Sequence, residues 1–224
     1  KKHMDQTKKA YSLVASDFGA SRANPWFEFE IYKRNLKPGA KFLDLGCGNA
    51  RLAKFLPKNI DYLGVDSCKN LLNLAHDSLK DTNLYNWKLS LACMTDVYFP
   101  KKHFHRIVMV ASYHHILKSS ERVKLLNRLY DSLEDGGKVY ISVWNLFQKR
   151  YFWNMLKSFF CLRPLNLAIP FKGEVRFYHA FTPFSLKKEA RRSKFKKIKI
   201  SFVTHREKVT SFWDCKNMVL KLEK

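Results

Sequence analysis

"KFLDLGCGNARLAKFL", residues 41–56, decides how the rest of this chain is read. Its first half, "KFLDLGCG" (41–48), is an apolar run entering a Gly turn, the signature of a buried strand. "ARLAKFL" (50–56) then carries apolar residues at helical spacing. A strand that turns sharply on glycines into a helix points the helix N-terminus at whatever lies beyond the strand. Gly46 and Gly48 let the backbone turn tightly and approach a ligand that a Cβ would repel.

Outward from this stretch the same unit recurs. "DYLGVD" (61–66) reads as a second strand and "SCKNLLNLAHDSL" (67–79) as a second helix with Ser67 as N-cap. "WKLSLAC" (87–93) and "HRIVMVAS" (105–112) are a third and a fourth strand. "SSERVKLLNRLYDSL" (119–133) is a helix capped by Ser119 or Ser120, ended by "EDGG" before the strand "KVYISVWN" (138–145). Five strands alternating with helices predict an α/β fold, a mainly parallel sheet covered on both faces. The tail differs: "FSLKKEARRSKF" (184–195) reads as a helix, and "KKIKISFVT" (196–204) and "KNMVLKLEK" (216–224) as two strands in a hairpin at the sheet edge. Residues 146–175 lack clean periodicity and are read as an insertion capping the carboxyl edge of the sheet, within a single domain spanning 1–224.

Bulk composition narrows the classes. Apolar residues at 46% exclude general disorder, whereas 42 Lys+Arg against 19 Asp+Glu give a net charge of +23, which attracts polyanions. The five cysteines form no CxxC pair, so neither a zinc site nor a disulfide framework is suggested; reduced thiols fit a cytoplasmic location, and no metal is expected. No signal peptide is recognised, and the chain opens at Lys1 without Met, so its first residues are read as a trimmed terminus or an expression scar. The longest apolar stretch, 152–171, is broken by Lys157, Arg163, Pro164 and Pro170.

In an alternating sheet, ligands sit beyond the carboxyl ends of the strands. Here the turn is G-x-G-x-A, preceded by Asp44, and Asp66 ends the second strand, placed to accept both hydroxyls of a ribose. An acid before the turn suits a cationic amino-acid group and would repel a pyrophosphate. The combination resembles the S-adenosylmethionine (SAM) site of class I methyltransferases. "ACMTDVYFP" (92–100) is similar to the stretch that flanks the adenine in that family, and "ASYHH" (111–115) to the loop along the cofactor. The resemblance implies a Rossmann-like, seven-stranded sheet with an antiparallel C-terminal strand. It also implies a SAM site built from Asp44, Gly46, Cys47, Gly48, Asp66, Ser67, Met94, Thr95 and Ala111. Two departures stand out: Ala50 replaces the third Gly, and Cys93 or Thr95 stands where many members carry an acid, leaving Asp96 as the substitute.

"DFGASRANPW" (17–26), "SYHHILKSSERVKLLNRLYDSLEDGGKVYISVWN" (112–145) and "RFYHAF" (176–181) together resemble one branch, the tRNA wobble-uridine carboxymethyl methyltransferases. That branch esterifies the carboxylate of 5-carboxymethyluridine. The resemblance implies a catalytic group of Arg22, His114, Arg176 and His179 that orients the carboxylate. It implies His115, Trp144 and Tyr178 around the substrate base; the basic cluster that includes Lys187, Lys188, Arg191 and Arg192 is read, from its charge and the net charge of the chain, as contacting tRNA phosphates. The resemblance also implies a small zinc-binding activator subunit as partner. Trp26 is read as a core or cofactor-covering residue. Two other readings stay open: a SAM-dependent methyltransferase of a small or lipid-like acid, suggested by the apolar insertion, and a degenerate fold that only binds RNA or a partner, suggested by the two departures.

Overall fold

The computed structural model describes residues 2–13, 25–160, 165–171 and 173–224. The expected acceptor residue Arg22 lies outside them. An eight-stranded sheet organises the chain, built from β1 (Lys41–Leu45), β2 (Asp61–Asp66), β3 (Asn86–Leu91), β4 (Phe104–Val110), β5 (Leu133–Trp144), β8 (Lys197–Val203), the two-residue β9 (Lys208–Val209) and β10 (Asn217–Glu223). Their order is β3-β2-β1-β4-β5-β10-β8-β9. β3, β2, β1, β4 and β5 run parallel, whereas β10 is antiparallel to both β5 and β8.

Alternation along the strands builds two cores. Leu43, Leu45, Ile107, Met109, Ile141 and Leu220 face one side, packed with Leu125 and Leu129 of α4 (Ser119–Ser132) and Leu186 of α6 (Pro183–Arg191). Phe42, Tyr62, Val108, Tyr140 and Val219 face the other, against Phe29 and Tyr32 of α2 (Phe27–Lys33), a 3-10 turn at Arg51–Phe55, and Ala75 and Leu79 of α3 (Lys69–Lys80). Both faces of the sheet are therefore dry, as a parallel sheet requires.

Three details depart from the expectations above. The C-terminal strands pair antiparallel at the sheet edge as expected, but the link between them, 204–216, is not short and carries β9. β10 slots between β5 and β8, because Met218, Val219 and Leu220 are buried on both its faces, whereas β8 alternates exposed Lys with half-buried Ile, as an outer strand does. Ser67 does not cap α3: Cys68 occupies the N-cap, and its N–H is taken by the side chain of Asp66. Neither Ser119 nor Ser120 caps α4, which starts at Ser119 with Lys118 before it.

Within 146–175 the described residues form regular elements. They contain α5 (Phe152–Phe160), β6 (Asn166–Phe171) and the start of β7 (Glu174–His179), the last two forming a separate antiparallel ribbon. A small core of Leu146, Leu167, Tyr178 and Ala180 fixes this unit to the end of β5. The opening helix α1 (Lys2–Leu13) lies against β7 and α3, with Ser12 accepting from Asn70.

Candidate active site

A cleft of about 980 Å³, open mouth included, runs along the carboxyl ends of β1, β2, β4 and β5. The 44–50 turn forms its floor. Gly46 has φ +83°, and a Cβ there would lie 2.5 Å from the Cβ of Ser112, so this glycine serves the crossing of two chain segments. Gly48, with φ +57°, has open space where its Cβ would go, and it is the position that admits a ligand. Ala50 adopts the left-handed conformation at φ 54°, ψ 32°, the geometry for which glycine is the usual residue.

Two carboxylates stand beside this turn. Asp44 is 2% exposed; its Oδ2 accepts from the hydroxyl of Tyr62 at 2.9 Å, while Oδ1 has no partner. Burial raises its pKa to about 7, opposed by the Tyr62 hydrogen bond and helped by Asp66. An unpaired buried acceptor in a cleft wall fits a cationic donor, and the ammonium of SAM is one. Asp66 is already engaged: Oδ2 accepts from Gly48 N–H at 2.9 Å and Oδ1 from Cys68 N–H at 2.8 Å. Burial raises its pKa against the pull of those N–H groups. Only its remaining lone pairs are free for ribose hydroxyls.

Cys47, Ser67, Met94, Ala111, His115 and Trp144 line the same cleft. Thr95 does not: its hydroxyl lies 3.1 Å from Cys93 Sγ and donates to Asp96 at 3.3 Å, and exposed Asp96 is not among the lining residues either. Sequence reading missed Thr7, Lys8 and Tyr11 of α1, which close the cleft from above. The spacing of Thr7, Ala10 and Tyr11 on one helical face was the available signal, and the reading of a trimmed terminus overlooked it. Trp26 does cover the cleft, stacked on His205 at 4.8 Å with the Arg51 guanidinium 4.4 Å above its ring.

Beyond Trp144 lies a packed aromatic cluster. β7 alternates, so Arg176 and Tyr178 point into this cluster, while Phe177 and His179 point away. Arg176 is 6% exposed, with its guanidinium 3.6 Å from the ring centre of Phe171 and 5.4–6.0 Å from those of Tyr11, Tyr178 and Trp144. Its Nε has no partner, and among the described residues the group makes no hydrogen bond or ion pair. Tyr178 is fully buried and stacked on Trp144 at 5.3 Å, so the face left for a base belongs to Trp144.

The histidines are neutral anchors. His115 Nδ1 lies 2.8 Å from the carbonyl of Phe177 and must donate to it, so Nε2 accepts from Tyr11 at 3.1 Å. Burial lowers its pKa to about 4. His114 is fully buried behind it; Nδ1 accepts from Trp144 N–H at 3.3 Å, Nε2 has no partner, and burial holds its pKa well below the ordinary value. His179 stands apart, its Nδ1 2.7 Å from Asn166 Oδ1 and its ring against Phe181, its pKa lowered to about 4 by burial. Lys187, Lys188, Arg191 and Arg192 are exposed on or just after α6, outside the cleft, with Arg192 donating to Ser119. No group of metal-ligating side chains occurs among the described residues, nor is any described helix long and apolar enough to cross a membrane.

Comparison with known proteins agrees with this geometry. Residues 42–137 match the family described as "Methyltransferase domain". A tRNA (carboxymethyluridine(34)-5-O)-methyltransferase of Schizosaccharomyces pombe is 29% identical over 141 residues, 63% of this chain and 58% of that protein. The corresponding alkbh8 protein of Xenopus tropicalis is 29% identical over 143 residues, 63% of this chain and 21% of that protein. The match thus spans little more than half of the first relative and a fifth of the second. A SAM-dependent methyltransferase of Methanosarcina mazei superposes with TM-score 0.67 at 19% identity, over 89% of this chain and 97% of that one. The DhpI–SAM–HEP complex gives 0.71 at 12% identity, over 99% and 98%. The fold is that of the class I methyltransferases.

Proposed function

We propose that this SAM-dependent methyltransferase domain esterifies a carboxylate, that of 5-carboxymethyluridine at the wobble position of tRNA. The observation that carries the reading is Arg176: a nearly buried guanidinium, caged by rings, with no anion of its own among the described residues, directly behind the ring that walls the cleft. Such a cation is costly to bury unless an anion joins it, and a planar fork matches a carboxylate. The names of the curated relatives supply the particular carboxylate.

Asp44, the 46–48 turn and Asp66 would hold the cofactor, whose sulfonium supplies an electrophilic methyl group when bound. The protein's remaining task is orientation. A carboxylate acceptor is ionised at neutral pH, so no base is required, and a neighbouring acid would only protonate it. The neutral state of His114 and His115 suits this, because neither can release a proton to the acceptor. Arg176 grips the oxygens, Trp144 presents a face to the uracil, and Tyr11 with Trp26 keeps water out. Lys187, Lys188, Arg191 and Arg192 extend the contact to phosphates, and Arg22 is an additional cation for the acceptor. The same reading places the protein in the cytoplasm, treats the 146–175 unit as a cap within one domain, and adds a small zinc-binding activator subunit, for which the free edge strand β3 with exposed Leu91 is the open place.

Incubation with SAM and tRNA bearing 5-carboxymethyluridine, followed by nucleoside mass spectrometry, tests the proposal. The methyl ester is expected. Esterification of free small acids but not of the tRNA nucleoside would favour the metabolite reading. Failure to bind SAM in calorimetry at millimolar cofactor would indicate the degenerate one.

A further inference from the structure

We infer that exposed aromatic rings on the carboxyl edge of the sheet, the edge that holds the cleft, chiefly Trp153 and Trp213, are a stacking platform for unpaired bases of single-stranded RNA. The choice of RNA as occupant rests on the reading just given; the platform itself rests on where the rings stand. Among the described residues six aromatic side chains are classed as exposed and large: Tyr85, Tyr98, Phe152, Trp153, Phe184 and Trp213. All but Tyr85 and Tyr98 lie on segments at the carboxyl edge of the sheet. Phe152 and Trp153 open α5 just after β5, and Phe184 is in the first turn of α6, which runs from that edge back to the start of β8. Trp213 sits between β9 and β10, in a loop tied to the end of β5 by Asn145, whose Nδ2 donates to the carbonyls of Phe212 at 2.8 Å and Cys215 at 3.2 Å.

Chance would scatter such rings over the surface. Trp213 is 74% exposed and Trp153 68%, so neither holds the core together. α5 turns Met155 toward the insertion core and leaves Phe152, Trp153 and Leu156 outward. The rings are interleaved with exposed cations, Lys149, Lys157, Lys187, Arg206 and Lys216, in a chain of net charge +23. Rings for base faces and cations for the backbone are the two components of single-strand binding, and the charge favours RNA over a neutral protein surface. A base delivered to Trp144 must leave its stack, and its neighbours then need new faces.

Binding of a short stem–loop RNA with ordinary uridine, without cofactor, tests this by fluorescence anisotropy. Trp153→Ala and Trp213→Ala should each weaken stem–loop binding roughly 5- to 100-fold. Phe at either position should restore most of it. The salt slope should stay unchanged, since no phosphate contact is removed, and a duplex without a loop should bind the variants as it binds the parent. Wild-type stem–loop affinity in both Ala variants would overturn the inference. So would an equal loss on duplex, or a loss confined to phosphatidylserine vesicles or to a protein partner. If the carboxymethyl nucleoside is not esterified while the Trp variants still lose the stem–loop, the proposed function falls and the platform stands; the reverse pair of results removes the platform alone.

Discussion

Asp44 has one oxygen satisfied by Tyr62 and the other without a partner in the cleft wall, and on the proposed reading that asymmetry should make cofactor binding pH-dependent. Its folded pKa, near 7, lies above the usual carboxylate value. The folded, cofactor-free protein therefore holds a proton that the unfolded chain releases, so this group's contribution to stability falls as pH rises from about 4 to about 7. A cationic ligand needs the ionised form. SAM affinity should thus climb with pH, up to about tenfold per unit below pH 7, and level off above it. Calorimetry across that window checks the slope, and Asp44→Asn should flatten it while weakening binding. At Arg176 the expected effect falls on the acceptor. Arg176→Met should lower kcat/KM roughly 10- to 150-fold with SAM affinity unchanged, as loss of charge-assisted hydrogen bonds implies, and Arg176→Lys should fall between. Steady-state kinetics with calorimetry separates the two ligands.

At the scale of elements, α6 is held to the loop after β4 by one buried network. Glu189 takes Arg122 through two bonds, Nε at 2.8 Å and Nη2 at 2.7 Å, and also accepts from Tyr113 and Ser119. Arg122 in turn donates to the carbonyls of Ile116 and Leu117. The side chains are 2% and 7% exposed, so the pair is judged by what breaking it leaves behind. Glu189→Ala would strand a guanidinium in the core and should cost about 3–5 kcal/mol. In a chain of this size that lowers Tm by roughly 6–20 °C, measurable by thermal denaturation. Because the same network positions the His114–His115 segment, the loss should extend to catalysis at temperatures where the fold survives. α1 acts differently: Tyr11 donates to His115 Nε2 and Thr7 accepts from Phe177 N–H, so this helix joins the ribbon to the cleft.

For the whole molecule, the charge decides more than any one contact. The α6 cations are exposed and, within the described residues, Lys187, Lys188 and Arg191 pair with no acid, so the part they would play in the proposed RNA binding is long-range and screened by salt. Affinity for a stem–loop should fall at least about tenfold between 50 and 200 mM salt, whereas SAM binding inside the cleft should barely move. Neutralising Lys187 and Lys188 together should reduce the salt slope by about 2 without changing the preference for a loop. Equilibrium titrations at several salt concentrations read both quantities.

The alternation of strands and helices, the Gly turn and the two acids beside it are all legible in the sequence, because each depends on residues near one another along the chain. β2 matches its expected bounds at both ends, and Asp44, Gly48 and Asp66 do line one cleft. Facing and neighbourhood are different matters. "RFYHAF" did not say that Arg176 and Tyr178 pack against Trp144 and its neighbours while His179 looks away; that follows from how β7 pairs with β6 and leans on α1. Nor could the tail show that β10 would enter the sheet beside β5, or the opening residues that Tyr11 would cover the cleft. Local spacing fixes which elements form, since backbone geometry repeats over a few residues. Which side chain meets which ligand is set by packing between segments far apart in the chain, and only the folded structure holds that information.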